Sequence, residues 1–155
     1  MKKNKKQGFS LIELLVVVAI MGLLSAMAVI SLNTARARAR DARRLSDVKQ
    51  IQTALEMYFA DINNYPTTPA AFEGACLSNS GFAATCGADI YMAKIPQNPE
   101  PRGDGDCPDT NYTYQAVAQG TETLASYYIK YCIGDKSGDI TVGTHYATPN
   151  GIAND

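Results

Sequence analysis

Hydrophobic and polar positions divide the chain into three stretches. From Phe9 to Leu32 the side chains carry no charge except at Glu13, and most are apolar. As a helix these 24 residues rise about 36 Å, against about 30 Å for the hydrocarbon core of a bilayer, so the run is long enough to span. From Leu45 the pattern turns amphipathic. Leu45, Val48, Ile51, Leu55, Tyr58, Phe59 and Ile62 recur at spacings of three and four, with Asp47, Lys49, Gln50, Gln52 and Glu56 between them. The two stretches predict one nearly continuous helix from Ser10 to about Asn63, ended by Asn63-Asn64-Tyr65-Pro66.

Past Pro66 the composition shifts to Thr, Pro, Ala, Gly and Asn, which marks a connector from Thr67 to about Pro101, with a short helix expected over Ala70 to Ala75. Strands follow. Tyr112 to Val117 alternates, Gln119 to Glu122 turns, and Leu124 to Ile133 places Ala125, Tyr127, Ile129, Tyr131 and Ile133 on one face. A third strand, Ile140 to Ala147, is expected after the turn at Asp135 to Gly138. The predicted class is α+β: a long N-terminal helix, transmembrane in its first half, with a small antiparallel meander packed on its second half.

Charge sharpens this division. The 155 residues carry a net charge of −1, and removing Lys2, Lys3, Lys5 and Lys6 leaves 10 basic against 15 acidic residues, a balance that argues against a generic polyanion binder. Arg36, Arg38, Arg40, Arg43, Arg44 and Lys49 crowd just past the apolar run, against Asp41 and Asp47, whereas everything after Lys49 has 4 basic and 12 acidic residues. Such a block suits lipid phosphates or the acidic residues of another copy of the chain, and equally a solvated helix face. It also competes with the leader lysines under the positive-inside rule, so charge alone does not orient the helix.

Glu13 is the unusual residue. A carboxylate in a spanning helix costs a few kcal/mol and marks a functional position. An ordinary signal peptide, with Ala26-Met27-Ala28 as its cleavage site, leaves Glu13 unexplained and has a shorter apolar core. Gly8-Phe9-Ser10-Leu11-Ile12-Glu13-Leu14-Leu15-Val16-Val17, preceded by the four lysines, resembles the start of a type IV prepilin or pseudopilin. The resemblance implies cleavage between Gly8 and Phe9, N-methylation of Phe9, and a Glu13 that meets the Phe9 amine during assembly. It further implies a leader at 1–8, a transmembrane and filament-core helix at 9–32, an amphipathic helix at 33–63 and a globular head at 64–155. Many pilins carry a proline where this chain has Ile30, and its absence leans toward pseudopilins or divergent pilins. Gly22 and Ser25 are the weak helix formers midway.

The head supplies little reactive chemistry. Its four cysteines, Cys76, Cys86, Cys107 and Cys132, admit three pairings; Cys76 with Cys86 and Cys107 with Cys132 is favoured. Their spacing does not suit zinc. Asp104, Asp106 and Asp109, interleaved with Gly103 and Gly105, have the oxygen ligands and bendable backbone of a calcium loop, with Asp135 and Asp139 nearby, but lack the full EF-hand pattern. An acidic turn explains them as well. His145 is the only histidine and has no evident catalytic partner, so no enzyme is expected.

The resemblance therefore implies a structural subunit of a type IV pilus-like filament, with a type II secretion pseudopilin as the alternative. Implied partners are further copies in a helical filament, minor pilins, the membrane, a prepilin peptidase, and an assembly platform with its ATPase; nucleic acid is not among them. The implied location is the cytoplasmic membrane before assembly and the cell surface after it. Two other classes remain open: a tethered binding head that never polymerises, and an anchored secreted enzyme.

Overall fold

In the computed structural model, which describes residues 9–103, 105, 107–108, 110–119, 123–135 and 139–154, helix α1 spans Leu11–Ile62. It ends where Asn63 adopts a left-handed conformation (φ 55) and its N–H donates to the Phe59 carbonyl at 2.8 Å. Asparagine tolerates that region better than most residues and closes the last turn. The chain divides into two compact units, Met1–Arg36 and Ala37–Asp155. In the first, residues 9–36 are all exposed, and α1 here is long and apolar enough to cross a membrane.

The second unit has a core. Its helical stripe, Val48, Ile51, Ala54, Leu55 and Tyr58, is buried, as the spacing predicts. Four strands form an antiparallel sheet in the order β4-β5-β6-β7: β4 is Thr113–Gln119, β5 Thr123–Ile133, β6 Gly143–Thr148 and β7 Gly151–Asn154. The register pairs Ile129 with Ala147 and Tyr131 with His145, so alternate residues of β5 and β6 face inward together. Tyr127, Ile129, Tyr131 and Ile133 are buried, whereas Ala125, expected on the same face, is exposed. Phe72, Tyr114 and Tyr127 join the helical stripe in one apolar cluster.

Several expectations need correction. Residues 70–75 form no helix: Pro66 and Pro69 precede them, and Phe72 instead inserts its ring against Phe82 and Tyr114, at centroid distances of 5.3 and 5.5 Å. The connector contains a second sheet of order β2-β1-β3, in which β1 is Cys76–Ser78, β2 Gly81–Ala83 and β3 Ile90–Met92. Strands of three residues are too short to show alternation. Ile62 is 43% exposed, so the apolar stripe stops one turn early. Strand β6 begins at Gly143 rather than Ile140, and β7 adds a fourth strand.

Five tyrosines, at 65, 112, 114, 127 and 131, are each less than 5% exposed. Tyr114 donates to the Pro66 carbonyl at 2.8 Å, Tyr65 to Glu56 at 3.0 Å and Tyr112 to Asp47 at 3.4 Å. Burial holds these hydroxyls neutral. It pushes Tyr131 up to about 12 and, as the leading cause, raises Tyr65, Tyr112, Tyr114 and Tyr127 further still. An unfolded tyrosine ionises near pH 10, so above that pH the unfolded chain binds fewer protons and stability falls. This contribution is intact below pH 10 and disappears as pH climbs through about 12 and beyond. Tyrosinate absorbance should therefore rise in two steps, the second coinciding with loss of circular dichroism. Complete titration while the dichroism is still native would refute the buried cluster.

Candidate functional site

The start of α1 is built by its own sequence. Ser10-Leu11-Ile12-Glu13 has the sequence of a capping box and makes its glutamate half: Ser10 sits at the cap and the Glu13 Oε2 accepts the Ser10 N–H at 2.8 Å. The Leu14 N–H closes the first turn onto the Ser10 carbonyl at 3.2 Å. A carboxylate in the first turn also meets the positive end of the helix dipole. Phe9 is 78% exposed, next to this turn, while Gly8 lies outside the described residues. Large apolar side chains from Phe9 to Leu32 are between 45% and 81% exposed around the whole helix. A helix apolar on all sides is adapted to lipid or to other helices, not to water.

The basic block separates into different environments. Arg43 remains outside, with Nε 3.9 Å from Asp47, and Arg38 Nε pairs with Asp135 at 3.0 Å. Arg44 is entirely buried, contrary to either surface role expected of the block. Its guanidinium donates to Asp41 Oδ1 at 2.6 Å, to Asn98 Oδ1 at 2.9 Å, and to the carbonyls of Pro101 and Arg102 at 3.2 and 3.0 Å. Asp41, equally buried, also accepts the N–H groups of Gly134 and Asp135 at 3.1 and 2.7 Å. Asp47 is buried as well, and desolvation raises its pKa despite Arg43 and Tyr112, which oppose the rise. Spacing alone gave no sign of this burial, because apart from Asp41 the groups that satisfy Arg44 come from residues 54 to 58 positions away.

Cys76 is bonded to Cys86 and Cys107 to Cys132, the two pairings favoured from the sequence. The second bond ties the 98–110 stretch to β5, close to Gly105. A Cβ on Gly105 would lie 2.3 Å from the Gly134 carbonyl oxygen, so only glycine allows the two stretches to approach this closely. The expected calcium ligands Asp104, Asp106 and Asp109 lie outside the described residues. Among the described residues no group of three or more His, Cys, Asp or Glu could hold a metal. Asp135 instead accepts from Arg38, and Asp139 is exposed. His145 is buried in β6, with Nε2 2.8 Å from the Thr141 carbonyl oxygen.

Comparison with known proteins gives these features a frame. Residues 3–29 match the family described as the prokaryotic N-terminal methylation motif. A type II secretion system core protein G of Aeromonas hydrophila is 33% identical over 103 residues, 64% of this chain and 71% of the relative. The chain belongs to the type IV pilin and pseudopilin family. Proteins of the same name from Escherichia coli strain K12 and Pseudomonas aeruginosa are 31% and 29% identical, over 62% and 89% of this chain and 68% and 92% of theirs. No solved structure gives a significant match.

Within this pilin-family chain, the Arg44–Asp41 pair is a clamp on the head. Removing one partner of a buried pair leaves the other charge unsatisfied, at a cost of roughly 3 to 5 kcal/mol. Arg44→Ala should therefore lower the urea midpoint of the full chain in detergent sharply. The double variant Asp41→Leu with Arg44→Met removes both charges and should recover part of the loss. Wild-type stability in Arg44→Ala would mean that the pair is solvated rather than buried.

Proposed function

We propose that the chain is a pseudopilin of secretion type: a filament subunit cleaved between Gly8 and Phe9, methylated at Phe9, and polymerised through its N-terminal helix. The observation that carries this reading is the Gly8-Phe9 and Glu13 motif in a chain whose relatives are named type II secretion system core protein G. Those names favour the secretion alternative over the pilus reading drawn from the sequence. Before assembly the apolar run at 9–32 holds the subunit in the cytoplasmic membrane. During assembly that run passes from lipid into contact with its neighbours, other pseudopilins and the secretion machinery.

In this proposal Glu13 selects the docked position. Its carboxylate and a Phe9 α-amine neutralise one another, and in a low dielectric such a pair repays its burial only when both charges are present. No catalytic step is assigned; the work is mechanical.

Intact-mass and N-terminal analysis tests the processing. Protein recovered from membranes and from sheared surface material should begin at a methylated Phe9. Glu13→Ala should remain cleavable yet lose most of its assembly. A chain beginning near Val29 would sink the filament reading in favour of an ordinary secreted protein, and an uncleaved chain confined to the membrane would favour a tethered head.

A further inference from the structure

Asn111 is the one asparagine of the sequence followed by a residue other than proline and then by Ser or Thr, in Asn111-Tyr112-Thr113. That triplet is the acceptor pattern of asparagine-linked glycosylation, in which the hydroxyl at the third position is recognised along with the amide. Asp109 extends it to Asp109-Thr110-Asn111-Tyr112-Thr113, and prokaryotic transferases of this class favour an acid at that position.

The fold presents the triplet outward. The backbone is pinned on both sides of Asn111: the Thr110 N–H donates to the Pro108 carbonyl at 2.8 Å, and the Thr110 carbonyl accepts from Asn98 Nδ2 at 2.7 Å. Tyr112 is buried, its N–H donating to Glu73 Oε1 at 2.7 Å. Residues 111, 112 and 113 are exposed, buried and exposed in turn, the period of an extended chain, which sets the amide and the hydroxyl on one side about 6.6 Å apart along the backbone. Neither the Asn111 nor the Thr113 side chain makes a hydrogen bond among the described residues. The strand ladder begins at the pair Thr113 and Lys130, so an enzyme can draw Asn111 out without breaking a strand pair. Strand β4 is also an end strand of its sheet, with β5 on one side only.

We infer that Asn111 is a glycosylation acceptor. The donor is an oligosaccharide carried on a polyprenyl diphosphate. Asn111 Nδ2 forms a bond to the anomeric carbon of the first sugar while that carbon's bond to the diphosphate oxygen breaks. The polyprenyl diphosphate leaves with the electron pair, one amide proton passes to a base of the transferase, and nothing is oxidised or reduced. The reaction requires the head to lie outside the cytoplasm, as the proposed function has it and as two disulfides favour, but it does not require polymerisation. A bulky hydrophilic group at the start of an end strand also obstructs edge-to-edge pairing with other chains.

Intact mass and peptide mapping of the full chain, taken from the membranes and the sheared surface material of its own cells, test this. The peptide containing Asn111 should carry a whole oligosaccharide and release sugar ions on fragmentation. Asn111→Gln and Thr113→Ala should lose the added mass completely, whereas Thr113→Ser, which retains a hydroxyl, should keep it. Wild-type chain of unmodified mass, or added mass that survives Asn111→Gln, overturns the acceptor; where that chain is cleaved and assembled, the proposed function stands. A chain glycosylated at Asn111 yet uncleaved and confined to the membrane upholds the acceptor while the filament reading fails.

Discussion

An arginine and an aspartate with no exposed surface impose a condition on everything around them. Taking Arg44 and Asp41 out of water costs several kcal/mol per ion, and their mutual attraction offsets this only if the remaining donors and acceptors are met. Three stretches of chain meet them: α1 itself, residues 98–102, and the turn after β5. Asn98, once engaged by Arg44, passes its amide to the Thr110 carbonyl at 2.7 Å, and Glu73 collects the N–H groups of Asn98 and Tyr112 at 3.0 and 2.7 Å. The stretch between β3 and β4, which joins no strand ladder among its described residues, is thus held by a charged network. The Cys107–Cys132 bond and the close approach of Gly105 to Gly134 fix the same two stretches from the other side.

What could be read from the sequence follows from which signals are local. The helix from residue 11 to 62 was legible because a run charged only at Glu13 and a three-four spacing each persist over several turns, and β5 because its buried residues alternate from Tyr127 to Ile133. The capping box at Ser10 and Glu13 is also local, yet the carboxylate drew notice for its charge in an apolar run rather than for the hydrogen bond it makes. The strands β1 to β3 were not legible, since three residues carry no period and a disulfide, Cys76–Cys86, braces them. The burial of Arg44 was the largest omission. By composition it belonged with five other cations, and only groups more than 50 residues away distinguish it.

The two units meet opposite requirements. Among the described residues from 37 onward most large apolar side chains are buried or half-buried, and even the tyrosines are mostly inside. Between 9 and 36 no large apolar side chain is, and the helix there satisfies its backbone internally while presenting apolar surface in every direction. Lipid or other apolar helices meet that demand, and on the function proposed above one sequence serves both to anchor and to assemble.

In the assembly proposed above, Glu13 connects these requirements. One of its oxygens holds the Ser10 N–H, yet an ionised carboxylate has about four acceptor positions, so the cap leaves room for a cation. A glutamate free to rotate would lose side-chain freedom on meeting the amine proposed at Phe9. A capped one has already lost it, and the ordering cost at docking falls accordingly. The cap also holds the negative charge over the helix N-terminus, where the backbone dipole favours it while no amine is present. On that proposal the same hydrogen bond lowers the cost of the charge before docking and orders the carboxylate for the pairing with an amine.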